Sequence, residues 1–230
     1  MLYLVPTPIG NLGDMSPRAI EILKSVDLIL AEDTRNTGKL LQLLHIENRM
    51  KAFHAHNEHN QLDYIIQLLH EGQEIAMVTD AGTPGISDPG FLLVRACHEN
   101  EIKVSCLPGP TAFVPALAAS GIPSEKFFFE GFLPQKKGRK TRWDKLSEIE
   151  VTIVLYESPY RIVKCLKEIN TYKGSEIQIC VAREISKLHE EIVKGKAQDV
   201  LKEFESRKSI KGEFVIIIGP PKKNKGSQSE

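Results

Sequence analysis

Apolar positions in this chain fall into short runs separated by stretches of helical period, with no long hydrophobic block. Residues 2–5 (LYLV), 26–31 (VDLILA), 74–78 (EIAMV) and 103–107 (KVSCL) are such runs, bounded by Gly, Pro or acidic residues, as buried parallel strands are. Between them, Ser16 and Pro17 open a helix that turns Ile20 and Leu23 inward. Asn57 opens another, with Leu62, Ile65, Ile66 and Leu69 on its apolar face and Gly72 at its end. Residues 91–96 (FLLVRA) form a third helix, and 113–120 a fourth made of small residues, with Pro115 in its first turn. The second half continues the alternation: strands over 127–133, 151–155, 177–182, 190–193 and 214–218, helices starting at Ser158-Pro159 and spanning 199–204. The pattern predicts an α/β protein with a mostly parallel N-terminal sheet. The domains are expected at 1–120 and 121–221, divided near Gly121-Ile122-Pro123-Ser124, before a polar, aperiodic tail, 222–230, expected to be disordered.

The polar segments that follow the strands carry the candidate chemistry. VTDAGTPGISDPG (78–90) follows an apolar run and precedes a helix, with three glycines, two aspartates and three hydroxyl residues in between. Glycine permits close backbone approach, so the stretch is suited to presenting main-chain groups to a ligand at the carboxyl end of a strand. Its last residues also read as a cap, with Asp88 at the N-cap and Pro89 at the first helical position. TPIGNLGD (7–14) is a second glycine-containing loop, but it matches neither the Rossmann nor the P-loop spacing. AEDTRNT (31–37) places two acids and an arginine after the second strand; Asp33 is either a helix cap or part of a polar cluster at the same cleft. FHAHNEHN (53–60) has three histidines without a scaffold to fix them, and helix capping by Asn57 explains it better than a metal. Lys136, Lys137, Arg139, Lys140, Arg142 and Trp143 form the most basic segment, expected to be a mobile arm that grips phosphates and stacks a base.

Composition narrows the classes. The 230 residues have zero net charge, so any nucleic-acid contact must come from local patches. No apolar run approaches the ~20 residues of a membrane span and no signal-peptide pattern follows Met1, which predicts a cytoplasmic protein. Cys97, Cys106, Cys165 and Cys180 are scattered in apolar contexts and read as reduced core residues, without a zinc site.

Taken together, TPIGNLGD, AEDTRNT, the histidine block, VTDAGTPGISDPG, LPGPTAFVPALAASGIPSEKFFFEGFLP, YESPYR, VAREISKLHEE and KGEFVIIIG resemble the tetrapyrrole methylase superfamily of S-adenosylmethionine-dependent methyltransferases. They run in order along nearly the whole chain. The resemblance implies two α/β domains of that type, the second with a mixed sheet, S-adenosylmethionine in the cleft between them, and a homodimer. It also implies methylation of a ribose 2′-hydroxyl on a cytidine in the decoding region of 16S rRNA, as free rRNA or assembled small subunit. The alternatives are another superfamily methyltransferase acting on a tetrapyrrole or a protein side chain, or a non-catalytic ribosome-assembly factor.

Carried over by position, the cofactor contacts are Pro8, Asp80, Ala81, Gly82, Thr83, Ile86, Thr111 and Ala112, with Tyr156, Glu157, Glu184, Ile185, Gly212 and Glu213 from the second domain. Relatives acting on tetrapyrroles commonly have Gly-Asp-Pro where this chain has Gly82-Thr83-Pro84, so the aspartate's part is expected to pass to Asp80. The expected general base is Asp33 or Glu32; Arg35, Arg161, Arg183 and Lys187 are expected at phosphates, with salt bridges between domains as the competing use.

Overall fold

The structure is a computed structural model that describes residues 1–221; the tail at 222–230 lies outside the described residues. The chain divides into two units at Thr111/Ala112, so the small-residue helix goes with the second. The first unit runs β1 (Leu2–Leu4), α1 (Pro17–Ser25), β2 (Leu28–Ala31), α2 (Thr34–Leu43), β3 (Met50–Ala52), α3 (Glu58–His70), β4 (Ile75–Val78), α4 (Phe91–Glu99) and β5 (Val104–Cys106). Its five strands pair in the order β3-β2-β4-β1-β5, every pair parallel.

Strand period 2 sends alternate residues to opposite faces. Ile29, Ala31, Ala76 and Val78 pack with Ala19, Leu23 and Leu41 of α1 and α2. Leu28, Leu30, Ile75 and Met77 pack with Ile65, Leu69, Leu93 and Cys97 of α3 and α4. Both faces are therefore covered, as an all-parallel sheet requires, and each fully buried Leu or Ile contributes about 1.5–3 kcal/mol relative to exposure. Ser16 caps α1 by accepting the Ala19 N–H, with Pro17 behind it, as its sequence predicts.

Four expectations fail in this unit. Asn57 stands at the N-cap of α3 but makes no side-chain cap bond; its side-chain amide instead accepts the His54 N–H and donates to the Ala52 carbonyl. The N-cap of α4 is Gly90, at φ 129°, and not Asp88. Asp88 is left free for other use. Cys106 is exposed because β5 is an edge strand, whereas Cys97, Cys165 and Cys180 are buried. β3 is a strand the apolar pattern does not reveal: its residues MKA sit half in solvent at the other edge.

The second unit runs α5 (Phe113–Ala119), β6 (Phe127–Phe132), α6 (Arg139–Ser147), β7 (Thr152–Glu157), α7 (Ile162–Tyr172), β8 (Gln178–Arg183), β9 (Glu191–Lys196), α8 (Ala197–Ser206) and β10 (Phe214–Ile218). Its sheet order is β6-β7-β10-β8-β9, parallel only between β6 and β7 and antiparallel elsewhere. One face is the main core, where Ile153, Leu155, Ile179, Val181, Phe214, Ile216 and Ile218 meet α6, α7 and α8. Residues 158–161 form a turn before α7, which begins at Ile162 and not at Ser158-Pro159.

From Arg139 on, the expected basic arm is instead helix α6, and Trp143 is fully buried against Tyr172, with ring centroids 5.6 Å apart. The indole N–H donates to Glu168, which removes Trp143 as a base-stacking residue. Among the described residues no helix is long and apolar enough to cross a membrane.

Candidate functional site

In the first unit, neighbouring strands β1 and β4 send their following helices to opposite faces: α1 joins the cluster with Val78, and α4 joins the cluster with Met77. This is the switch point of the sheet, the position where open α/β sheets place a ligand-binding crevice. The loops after β1, β4 and β5 are tied across it. Thr7 and Gly82 exchange backbone hydrogen bonds of 2.9 and 3.0 Å, and the buried Thr7 hydroxyl donates to the Thr79 carbonyl at 3.0 Å. Thr83 Oγ1 lies 3.0 Å from the Pro110 carbonyl and 2.7 Å from Thr111 Oγ1. A hydroxyl has one proton, so if Thr83 donates to Pro110 it accepts from Thr111. Gly109 is there because the strands' loops nearly touch: a Cβ on it would lie 2.6 Å from Pro6 Cβ.

These ties assign the predicted residues. Thr83 and Thr111 use their side chains on each other, leaving main-chain groups for a ligand. Ala81 and Ile86 are exposed and Pro8 is half-buried. Thr79, directly after β4, is buried with a hydroxyl that has no partner among the described residues.

The crevice rim is acidic. Asp80 donates its N–H to Glu32 Oε2 at 3.2 Å and accepts from Asn36 Nδ2 at 2.9 Å. Asp88 is pushed up to about 7, first by burial and then by the charges of Glu32 and Asp80. Asp33 goes the other way. It caps α2 and accepts from the Arg35 N–H and from its guanidinium, at 2.6 Å for the shortest contact. Those bonds hold its carboxyl well below the usual carboxylate range, making it a poor proton acceptor. Sequence reading missed Asp88 as a site residue because the Asp-Pro-Gly string reads equally well as a cap.

In the second unit most predicted charges serve the unit's own framework. Arg139, 3% exposed, donates to Glu168 at 2.7 Å and to Glu157 at 3.3 Å. Glu157 also accepts from Arg161 Nε and the Ser158 N–H, so its carboxylate is fully engaged. Arg142 pairs with Glu130, and Arg183 with Glu191 and the Lys211 carbonyl. Lys187 bridges Glu184 and Glu213, both at 2.9 Å, and Glu184 also accepts the Glu213 N–H. Lys187 and that N–H lower the Glu184 pKa against the burial that would raise it. Ile185 is buried, and Gly212 and Glu184 both hold positive φ, 98° and 51°. Tyr156 is half-buried beside Phe129 and Phe132. Of the residues expected at phosphates, Arg139, Arg142, Arg161, Arg183 and Lys187 are ion-paired inside this unit, while Lys136, Lys137 and Lys140 are exposed.

The doubly covered parallel sheet, the mixed second sheet and the tied loops together define a class: residues 1–201 match the family model for Tetrapyrrole (Corrin/Porphyrin) Methylases, and the chain belongs to that family. Within it, the chain is 48% identical to Ribosomal RNA small subunit methyltransferase I of Synechocystis sp., over 95% of this chain and 78% of that protein. It is likewise 48% identical to the protein of that name from Escherichia coli O157:H7, over 94% of this chain and 77% of the relative. Among solved structures, uroporphyrin-III-C-methyltransferase from Thermus thermophilus has the same fold, with a TM-score of 0.63 at 18% identity over 95% of this chain and 93% of that one.

Proposed function

We propose that this chain is an S-adenosylmethionine-dependent methyltransferase that methylates the ribose 2′-hydroxyl of a cytidine in small-subunit (16S) ribosomal RNA. The observation that carries the reading is the similarity, along nearly the whole chain, to proteins named for small-subunit rRNA methylation. A homodimer is the assembly proposed on the same resemblance, to be checked by sedimentation equilibrium.

The first unit's crevice suits the cofactor chemically. A sulfonium cation is favoured beside Glu32 and Asp80, and the loops bring no unpaired cation, since Arg35 is held by Asp33. Backbone groups of Pro8, Ala81, Gly82, Thr83, Ile86, Thr111 and Ala112 would hold the adenosyl and amino-acid portions, with the unpartnered Thr79 hydroxyl as one more donor. When bound, S-adenosylmethionine supplies an electrophilic methyl group.

The chain's own part is positioning and proton transfer. Fixing a hydroxyl in line with the methyl carbon can lower the barrier by up to ~7–11 kcal/mol, against ~10²–10⁴-fold for a general base. With the methyl donor held there, a carboxylate oxygen of Asp88 would take the proton of the ribose 2′-hydroxyl as that oxygen accepts the methyl group. A base is most effective near the working pH, which favours Asp88 over the ion-paired Asp33.

The test is mass spectrometry and alkaline mapping of 16S rRNA from cells with and without the protein. One methyl on a cytidine ribose, resistant to alkaline cleavage and dependent on the protein, is the expected result. Transfer of labelled methyl to a tetrapyrrole or a protein instead, or no cofactor binding by calorimetry, rejects the reading.

A further inference from the structure

With Trp143 in the core, the second unit offers bases a different surface. Rings of Phe127, Phe113, Phe129, Tyr156 and Phe132 form a continuous row: Phe113 lies 6.0 Å from Phe127 and stacks on Phe129 at 4.5 Å. Tyr156 then lies 5.3 Å from Phe129 and 5.4 Å from Phe132. The two ends are open to solvent, Phe127 at 42% and Phe132 at 55%.

The row depends on one irregularity in β6. Phe127, Phe128 and Phe129 pair with Thr152, Ile153 and Val154 in simple register, so Phe127 and Phe129 face away from the core that Ile153 and Phe128 enter. Strict alternation would then send Phe132 to the core side. The register shifts between Phe129 and Gly131, and Phe132 pairs with Tyr156 on the outer face. Gly131, at φ 68°, supplies the left-handed residue of the bulge. An exposed phenylalanine is thus re-aimed to extend the row, although a regular strand would have buried it.

Charge flanks the row at both ends. Lys126 precedes β6, and Lys136, Lys137 and Lys140 follow it; all are exposed, and none is ion-paired among the described residues. The strand lies at the sheet edge. Antiparallel pairing of this edge with a second copy would set two basic ends face to face, which opposes self-association. Single-stranded nucleic acid fits both features, because its bases stack on rings and its phosphates take cations.

We propose that the aromatic row along β6 is a stacking platform for bases of single-stranded rRNA, with Lys126, Lys136, Lys137 and Lys140 holding the flanking phosphates. The inference rests on the rRNA reading above and names the chain's grip on that substrate.

The test uses the full chain and a labelled single-stranded RNA 12-mer of the substrate strand, followed by fluorescence anisotropy over a salt series. Phe127→Ala/Phe132→Ala should weaken binding at least tenfold, since each lost base stack is worth about 5- to 150-fold, and should leave the salt slope unchanged. Phe127→Leu/Phe132→Leu keeps the apolar bulk and should weaken binding similarly; Phe127→Tyr/Phe132→Tyr should retain it. Unchanged affinity in the alanine and leucine variants overturns the platform while leaving the methyltransferase reading intact. A sedimentation shift in those variants without loss of RNA binding also overturns it, making the row an interface between copies. If the unsubstituted protein fails to bind the RNA or to methylate 16S rRNA, the underlying reading falls, and the platform with it.

Discussion

The carboxylates around the crevice differ in what their neighbours do to them. Arg35 keeps Asp33 ionised and unreactive, while burial and two nearby acids keep Asp88 ready to exchange a proton near neutrality. Asp88→Asn is therefore expected to lower kcat by ~10²–10⁴-fold and to abolish a rising limb near pH 7, whereas Asp33→Asn should leave that limb in place. A pH profile of kcat on rRNA checks both. The same shift has a stability sign. A carboxyl whose folded pKa is raised to about 7 stabilises the fold below its unfolded value near 4, and this contribution is lost as pH rises through 7. Thermal melts of Asp88→Asn should thus match the parent near pH 4 and exceed it at pH 8.5.

At the level of elements, loops and helices are held by a few contacts whose partners lie far along the chain. Gly109→Ala must displace the Pro6 ring, with an expected cost of about 1–3 kcal/mol seen as a lower urea midpoint at constant m, together with a raised KM for cofactor. Among the described residues, Arg139→Leu takes the only ion-paired cation from Glu168 and one of two from Glu157, and a loss of about 3–5 kcal/mol is expected by the same measurement; Arg139→Lys should recover part of it. These elements also show where sequence reading succeeds and stops. β2, β4, β8 and β10 are nearly continuous apolar runs, and Ser16 and Asp33 sit before helical period, so both were legible. α6 was not. Its string RKTRWDKLS is dominated by charge, and Arg139 can join Trp143 and Leu146 on its buried face because acids 18 and 29 residues away neutralise it. Likewise the bulge at Gly131 is a pairing event between strands, invisible in β6 alone.

On the whole-molecule scale, a chain with no net charge has no global field to draw RNA, so the salt-dependent part of the proposed affinity is expected from the four lysines beside β6. Each phosphate contact on a single strand adds about 0.7 to the slope of log K against log salt. Changing Lys126, Lys136, Lys137 and Lys140 to Gln should flatten the slope by roughly 3. The family and the two-sheet architecture were legible from motifs spread over the full length. The positions of side chains around the site were not, because they depend on hydrogen bonds between loops about seventy residues apart, such as Thr7 to Gly82.

One topological detail bears on how the protein is made. β1 lies between β4 and β5, which the chain supplies only at Ile75–Val78 and Val104–Cys106. During synthesis, Leu2–Leu4 must therefore wait with both hydrogen-bonding edges bare until Ile75–Val78 emerges, and with one edge still bare until Val104–Cys106 follows. A nascent fragment stopped at residue 101 should stay protease-sensitive and chaperone-bound, and one extended to residue 111 should snap shut.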